Sequence, residues 1–337
     1  MAKVTIDGHT IEVPTGTTIL EAARMIGGPI VPPAMCYYSK LKTTGGYCRT
    51  CIVKVSKGSE KDPRPMPKPV ASCRTTVMDG MEVQNITSPD LLEARAGVVE
   101  FLLLNHPLDC PICDQAGECH LQDLGYENGK SKTRYEFDRR EFEPIEIGDK
   151  IKLHMKRCIH CFRCVKLAEQ LTPERFQGML NRGDHSEIST YIKHAIDNEF
   201  SGNMIDVCPV GALTDKTFRF KSRVWFVNPE DAHRNCSKCA GKARIWLKGE
   251  EVLRVTARKD KYGEAIDWIC NECRFDKKKT SDWVIEKPTH IDRHSVISMN
   301  HYESLKDLKQ DVDKQQKQLV NKKVNLGQGA LNPNNSI

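Results

Sequence analysis

His106-Pro107-Leu108-Asp109-Cys110-Pro111-Ile112-Cys113-Asp114-Gln115-Ala116-Gly117-Glu118-Cys119 places one imidazole and three thiols within fourteen residues. Three cysteines spaced x2 and x5 aim their sulfurs at one point only if the backbone wraps around it, and Pro107, Pro111 and Gly117 suit such a turn-rich wrap. The stretch reads as a metal centre. Thiolates hold iron–sulfur clusters, and a His replaces a Cys on an individual iron in Rieske centres. A zinc knuckle fits the same thiols, with His106 then only the end of the preceding helix.

That helix starts at Ser88-Pro89-Asp90-Leu91-Leu92, with Pro in its first turn, and runs to about Asn105. Apolar residues at 91, 92, 98, 99, 102 and 103 predict a buried face, so a packed element delivers His106. Further upstream, residues 3–13 alternate and turn at Asp7-Gly8, the signal of a β-hairpin. Thr18 and Glu21 form a capping box for a helix whose apolar face is Ile19, Leu20, Ala23 and Ile26, and Gly27 stops it.

Hairpin, helix and then a Cys-bearing loop is how a β-grasp ferredoxin begins. The loop delivers Cys36, Cys48 and Cys51 with x11 and x2 between them, and Cys73 follows beyond Pro63, Pro65, Pro67 and Pro69. Plant-type ferredoxins space their first three cysteines x4 and x2, so the x2 pair and the distant Cys are kept while the first gap is widened. Gly45 and Gly46 would let backbone N–H groups approach the sulfurs. A [2Fe-2S] cluster is expected here; four Cys would also accept a structural zinc.

Downstream, residues 125–155 are polar and carry no motif, and Arg139 and Arg140 read as a solvated face. Arg157-Cys158-Ile159-His160-Cys161-Phe162-Arg163-Cys164 then gives Cys-x2-Cys-x2-Cys, the compact wrap of a [4Fe-4S] cluster. The fourth ligand is remote: no Cys lies between 165 and 207, and Cys208-Pro209-Val210-Gly211-Ala212-Leu213 supplies a ferredoxin-type ending. Four thiolates suffice, so His160 is expected to donate to a sulfide or to be exposed. From Trp225 the composition shifts again. Cys236-x2-Cys239 and Cys270-x2-Cys273 flank strand-like Ala243–Leu247 and Glu251–Val255, joined by a Lys-Gly-Glu turn. Two such pairs have the spacing of a zinc ribbon.

The totals fit this reading. Fifteen cysteines in 337 residues without a signal peptide imply a reducing compartment, where clustered Cys means metal rather than disulfide. No apolar run approaches the roughly eighteen residues of a membrane span; the longest, Val98–Leu104, is broken by Glu100. A net charge of +6 is too mild to suggest nucleic-acid binding. Neither a G-x-G-x-x-G after a strand, a P-loop nor a Ser/His/Asp signature is present, so nicotinamide and nucleotide binding are not supported, and the clustered cysteines make electron relay the expected task.

The His-x3-Cys-x2-Cys-x5-Cys pattern with its Asp-Cys-Pro-Ile-Cys-Asp-Gln-Ala-Gly-Glu-Cys filling resembles the large iron–sulfur subunit of NADH:quinone oxidoreductase, respiratory complex I. The long first gap of the amino-terminal cysteines resembles the same subunit. The resemblance covers residues 1 to about 280 and implies an α+β chain of five parts. These are a [2Fe-2S] β-grasp domain (1–84), a His/Cys3 [4Fe-4S] helical segment (85–124) and a ferredoxin-like [4Fe-4S] domain (125–222). A four-Cys hairpin domain (223–280) and a polar tail (281–337) follow. Helix 302–320 is expected within the tail.

For cofactors, the resemblance implies one [2Fe-2S] on Cys36, Cys48, Cys51 and Cys73, and two [4Fe-4S] on His106, Cys110, Cys113, Cys119 and on Cys158, Cys161, Cys164, Cys208. At the fourth place the family resembles molybdopterin oxidoreductases, whose cluster takes Cys-x2-Cys-x3-Cys and a distant Cys. Here Ala243 stands at the third position and Cys273 is extra, so Cys236, Cys239, Cys270 and Cys273 suit zinc or [4Fe-4S] alike. The resemblance stops before the molybdopterin-like region usual in the family, so a short form is expected. Implied partners are an FMN- and NADH-binding subunit and other iron–sulfur subunits, on the cytoplasmic face of the bacterial inner membrane. The alternative is a subunit of an NAD-linked hydrogenase or formate dehydrogenase diaphorase; a colourless zinc-organised assembly scaffold is the remaining class.

Overall fold

Ala2, Val4 and Ile6 point inward along strand β1 (Ala2–Ile6) while Lys3 stays exposed, the alternation that buries one face of a sheet. Asp7 and Gly8 both take positive φ (44° and 84°) and return the chain as β2 (His9–Val13), the predicted hairpin. Helix α1 (Ile19–Ile26) carries the predicted capping box: Glu21 N donates to Thr18 Oγ1 at 3.3 Å and Thr18 N to Glu21 Oε2 at 2.9 Å. Strands β3 (Ile52–Lys57), β4 (Val70–Ala71) and β5 (Met81–Gln84) complete a five-stranded sheet of order β2-β1-β5-β3-β4, with β1 and β5 parallel. Ile19, Ala22 and Ala23 of α1 close its core.

The computed structural model describes residues 1–286 except 137, 173–176 and 191–197, and not the side chain at 184. The helix expected at 302–320 and the polar tail lie outside the described residues.

Helix α2 (Pro89–Leu103) is where the predicted one begins and two residues shorter. Its buried stripe is narrower than expected: Leu91 and Val99 are covered, but Leu92 is 38% exposed. Neighbours in a helix point about 100° apart, so one of Leu91 and Leu92 must turn away. The stripe runs instead at i+4 spacing through Arg95, which is 2% exposed. Its guanidinium donates to Thr50 O at 3.2 Å, to Ile52 O at 3.0 Å and to Asn85 Oδ1, tying α2 to the cysteine loop of the first sheet. Arg95→Ala is expected to destabilise the chain by about 2–4 kcal/mol, because buried acceptors lose their donor and a cavity is left. Thermal unfolding checks this, and an unchanged midpoint would show that the guanidinium bonds contribute nothing net.

Helix α3 (His120–Asn128) follows the His106 stretch and packs back on α2. The motif-free stretch then forms β6 (Ile145–Glu146) and β7 (Ile151–Leu153). After them come helix α4 (Arg163–Leu171), the hairpin β8 (Gln177–Leu180) and β9 (Glu187–Thr190), helix α5 (Asn203–Val207) and β10 (Leu213–Asp215). β10 pairs with β7 to give a sheet of order β10-β7-β6. The expected hairpin is β12 (Lys242–Lys248) and β13 (Glu251–Thr256). It lies within a four-stranded sheet of order β13-β12-β11-β14, with β11 (Asn228–His233) and β14 (Val284–Ile285) added. Residues 1–285 form one compact unit. One hydrophobic core runs from Met35 to Phe275 in sequence and contains Cys36, Cys48, Cys119, Cys161, Cys164 and Cys208.

Candidate metal centres

The first cysteine set is gathered by the loop between α1 and β3 and by the turn after β4. Cys36, Cys48, Cys51 and Cys73 are all buried, and Cys51 Sγ lies 3.3 Å from Cys73 Sγ. Backbone amides point at the sulfurs: Tyr47 N and Cys48 N to Cys36 Sγ at 3.3 and 3.4 Å, and Gly46 N to Cys73 Sγ at 3.2 Å. The glycine expectation holds, since Gly45 (φ 98°) and Gly46 (φ 86°) are left-handed and a Cβ on Gly45 would stand 3.1 Å from Cys73 Sγ. Hydrogen bonds from the Cys48 and Cys73 thiols hold Cys36 down to about 2, and the Cys73 thiol brings Cys51 to about 7. Cys48 and Cys73 are themselves pushed up, chiefly by the hydrogen bonds that they share with Cys36 and Cys51; a nest of amides around these sulfurs suits an anionic iron–sulfur centre.

His106, Cys110, Cys113 and Cys119 line one small cavity, together with Asp109, Arg157 and Gly211. The end of α2 presents His106, and its Nδ1 is buried with no partner among the described residues. Burial first, and then Arg157, lowers the imidazole to about 4, so it stands neutral, the form that ligates metals. Arg157 clasps Asp109 Oδ2 with Nε and Nη2 at 3.0 and 2.9 Å, fixing the loop that carries Cys110. Arg223 Nη1 holds Cys113 O at 2.8 Å. Cys113 and Cys119 are buried; Cys110 is exposed. An orphaned neutral imidazole facing three thiols fits a mixed His/Cys centre.

Cys158, Cys161, Cys164 and Cys208 line a second cavity walled by Leu153, Ile188 and Val210. The x2-x2 wrap depends on left-handed residues between the cysteines, His160 at φ 51° and Phe162 at φ 61°. His160 Nε2 pairs with Ser186 O at 3.1 Å, so its ring serves a carbonyl rather than a sulfide, while its backbone N–H points to Cys158 Sγ at 3.4 Å. Burial pushes the thiols of Cys158 and Cys164 up, and that of Cys161 to about 12; burial likewise takes Cys119 of the second set to about 11. Filling these sets therefore means displacing protons, as metal loading of thiols does.

These three sets adjoin. Cys119 Sγ lies 3.9 Å from Pro209 O, next to Cys208. Tyr47, beside Cys48, packs against Phe162 of the third wrap with the rings tilted by 30° and centroids 4.6 Å apart. Arg163, buried between Phe162 and Cys164, donates to Ala34 O at 3.0 Å and Tyr37 O at 2.7 Å on either side of Cys36. Sequence reasoning passed over Arg95, Arg157, Arg163 and Gly211. A cation set between two candidate ligands, as Arg163 is, was the available signal.

The fourth set is separate from that core. Cys236, Cys239, Cys270 and Cys273 pack with Ala232, Ala243, Ile245 and Trp283, and their sulfurs all lie within 4.8 Å of one another. Ala243 is a strand residue paired with Ala232 and supplies no ligand. The turn carrying Cys270 and Cys273 docks on α5, where Asn203 Nδ2 donates to Ile269 O at 2.8 Å and Arg274 pairs with Asp206 in full burial.

Three family profiles match. Residues 1–88 match a 2Fe-2S iron–sulfur cluster binding domain, 95–134 the iron–sulfur binding region of NADH-ubiquinone oxidoreductase G, and 148–214 the ferredoxin-like domain of NADH-quinone oxidoreductase subunit 3. The chain is 39% identical over 308 residues to the NADH-quinone oxidoreductase G subunit of Rickettsia bellii, covering 91% of this chain and 43% of that protein. It is 42% identical over 275 residues to the NADH-ubiquinone oxidoreductase 75 kDa subunit of Reclinomonas americana, covering 82% of this chain and 38% of that one. It thus spans less than half the length of these relatives. Among solved structures it is similar to a chain of an NAD+-reducing [NiFe]-hydrogenase in the H2-reduced state. There the TM-score is 0.56 and the identity 26%, over 66% of this chain and 91% of that one.

Proposed function

Because this chain belongs to the family of the NADH-quinone oxidoreductase G subunit, we propose that it is the electron-relay iron–sulfur subunit of such a complex's peripheral arm. It would take electrons from an FMN- and NADH-binding neighbour and pass them toward quinone. Cys36, Cys48, Cys51 and Cys73 would hold a [2Fe-2S] cluster. His106 with Cys110, Cys113 and Cys119, and Cys158, Cys161 and Cys164 with Cys208, would each hold a [4Fe-4S] cluster. One-electron transfer is the chemistry such groups supply when bound. The observation that carries the reading is the single core in which residues of all three sets lie.

The residues' own part is to hold, shield and tune. Leu153, Ile188 and Val210 keep water from the third set, and the amides of residues 46–48 and 160 aim positive dipoles at sulfur. Among the described residues no helix is long and apolar enough to cross a membrane. The proposed location is the cytoplasmic face of the bacterial inner membrane, held there by other subunits. The division at 84, 124, 222 and 280 is proposed as the order of cluster modules. The high coverage of the hydrogenase chain favours, as second reading, a subunit of an NAD-linked hydrogenase. Hydrogen-dependent NAD reduction without quinone reduction by the purified complex would select it.

The deciding experiment is iron and acid-labile sulfide analysis with electron paramagnetic resonance on the holoprotein. About ten iron and ten sulfide per chain are expected; a colourless, iron-free chain overturns the reading. His106→Cys tests the second set. A fourth thiolate adds negative charge, so the centre should persist with its midpoint potential lowered by on the order of 100 mV. A redox titration that leaves it unmoved removes His106 from the ligands.

A further inference from the structure

We propose that Cys236, Cys239, Cys270 and Cys273 hold one zinc ion, a closed structural site, and not a fourth iron–sulfur cluster. The separation of the sulfurs decides between them. Cys236 Sγ to Cys270 Sγ is 3.8 Å and Cys239 Sγ to Cys273 Sγ is 3.7 Å. Four sulfurs bound to one ion at about 2.3 Å form a tetrahedron whose edge is about 3.8 Å. In a four-iron cube each thiolate binds its own corner iron, which spreads the sulfurs well beyond that edge. The molecule carries its own comparison. Among the described residues, the fourth set is the one group of three or more His, Cys, Asp or Glu that brings ligand atoms within 4.8 Å of one another. The His106 and Cys158 sets line cavities without converging so closely.

The surroundings agree. Each pair is a knuckle whose amides donate to its sulfurs: Lys238 N to Cys236 Sγ at 3.4 Å, Gly241 N to Cys239 Sγ at 3.4 Å and Cys273 N to Cys270 Sγ at 3.5 Å. Zinc with four thiolates carries a net charge of about −2. Arg234 answers it, with Nη1 3.1 Å from Cys273 Sγ, and Lys238 stands on the first knuckle. Four protein ligands leave no open position, so the ion would be structural and redox-inert. Its task is to close the β11–β14 sheet and to present Ile269 and Arg274 to α5, the helix that leads into Cys208. Such a site depends on the fold and not on the relay, and it leaves the chain three electron-carrying centres.

The test is metal analysis of the holoprotein, purified without a polyhistidine tag, with X-ray absorption at the zinc edge. One zinc per chain is expected, bound by four sulfurs at about 2.3 Å. Cys273→Ser should lose that zinc while iron, sulfide and the paramagnetic signals stay unchanged. Zinc absent from the wild type, zinc held by nitrogen or oxygen, or a variant that loses about four iron instead would each overturn the proposal. Because the wild-type measurement stands alone, a poorly folding variant does not blunt the test. Failure of the relay reading shows separately, as missing iron whatever the zinc count.

Discussion

Cys208→Ala is expected to remove about four iron and four sulfide per chain while the other two iron–sulfur centres keep theirs. Cys208 is the proposed remote ligand of the third set, 8% exposed, and it reaches the cavity because α5 ends against it. The three remaining thiols come from the single short wrap 158–164, shaped by left-handed His160 and Phe162. Among the described residues, His160 is the nearest imidazole in that wrap, and it is engaged with Ser186 O. The first and second sets take their ligands from other loops, which argues that they survive. Iron analysis and paramagnetic spectra of the variant check this, together with loss of NADH-driven quinone reduction by the complex. Disappearance of all three centres would mean that the shared core, and not the individual ligand set, governs loading.

What the sequence made legible was local. The Asp7-Gly8 turn, the Thr18/Glu21 box and the β12–β13 hairpin each depend on residues a few positions apart, and each appears as read. Strand β11 was missed because Asn228-Pro229-Glu230-Asp231-Ala232-His233 has no apolar alternation; pairing with β12 makes it a strand, and only Ala232 is fully buried. Strands β6 and β7 have two and three residues, too few to show a period. The buried arginines were hidden for another reason. Arg95 and Arg163 satisfy carbonyls 43–45 and 126–129 residues away, partners that spacing along the chain does not reveal. The same long-range contacts join the cluster modules, read one after another in the sequence, into one packed unit.

Gly211→Ala is expected to damage the second centre through a methyl group placed in the third centre's loop. Gly211 lies three residues after Cys208, yet a Cβ built on it would stand 2.1 Å from Cys113 Sγ and 3.2 Å from Gln115 Cβ. Its φ lies outside the left-handed region, so alanine suits the backbone and the effect is purely steric. Arg223 holds only the Cys113 carbonyl, so the sulfur yields by turning about Cα–Cβ, and that turn takes it out of the cavity shared with His106 and Cys119. Overpacking of this kind destabilises by about 1–3 kcal/mol. Relief must come from displacing Cys113, so the second centre should lose most of its iron while the [2Fe-2S] signal is retained. Unaltered iron with an unshifted second-centre spectrum would mean that Cys113 Sγ points elsewhere in the loaded protein, and the His106/Cys110/Cys113/Cys119 set would fall with it.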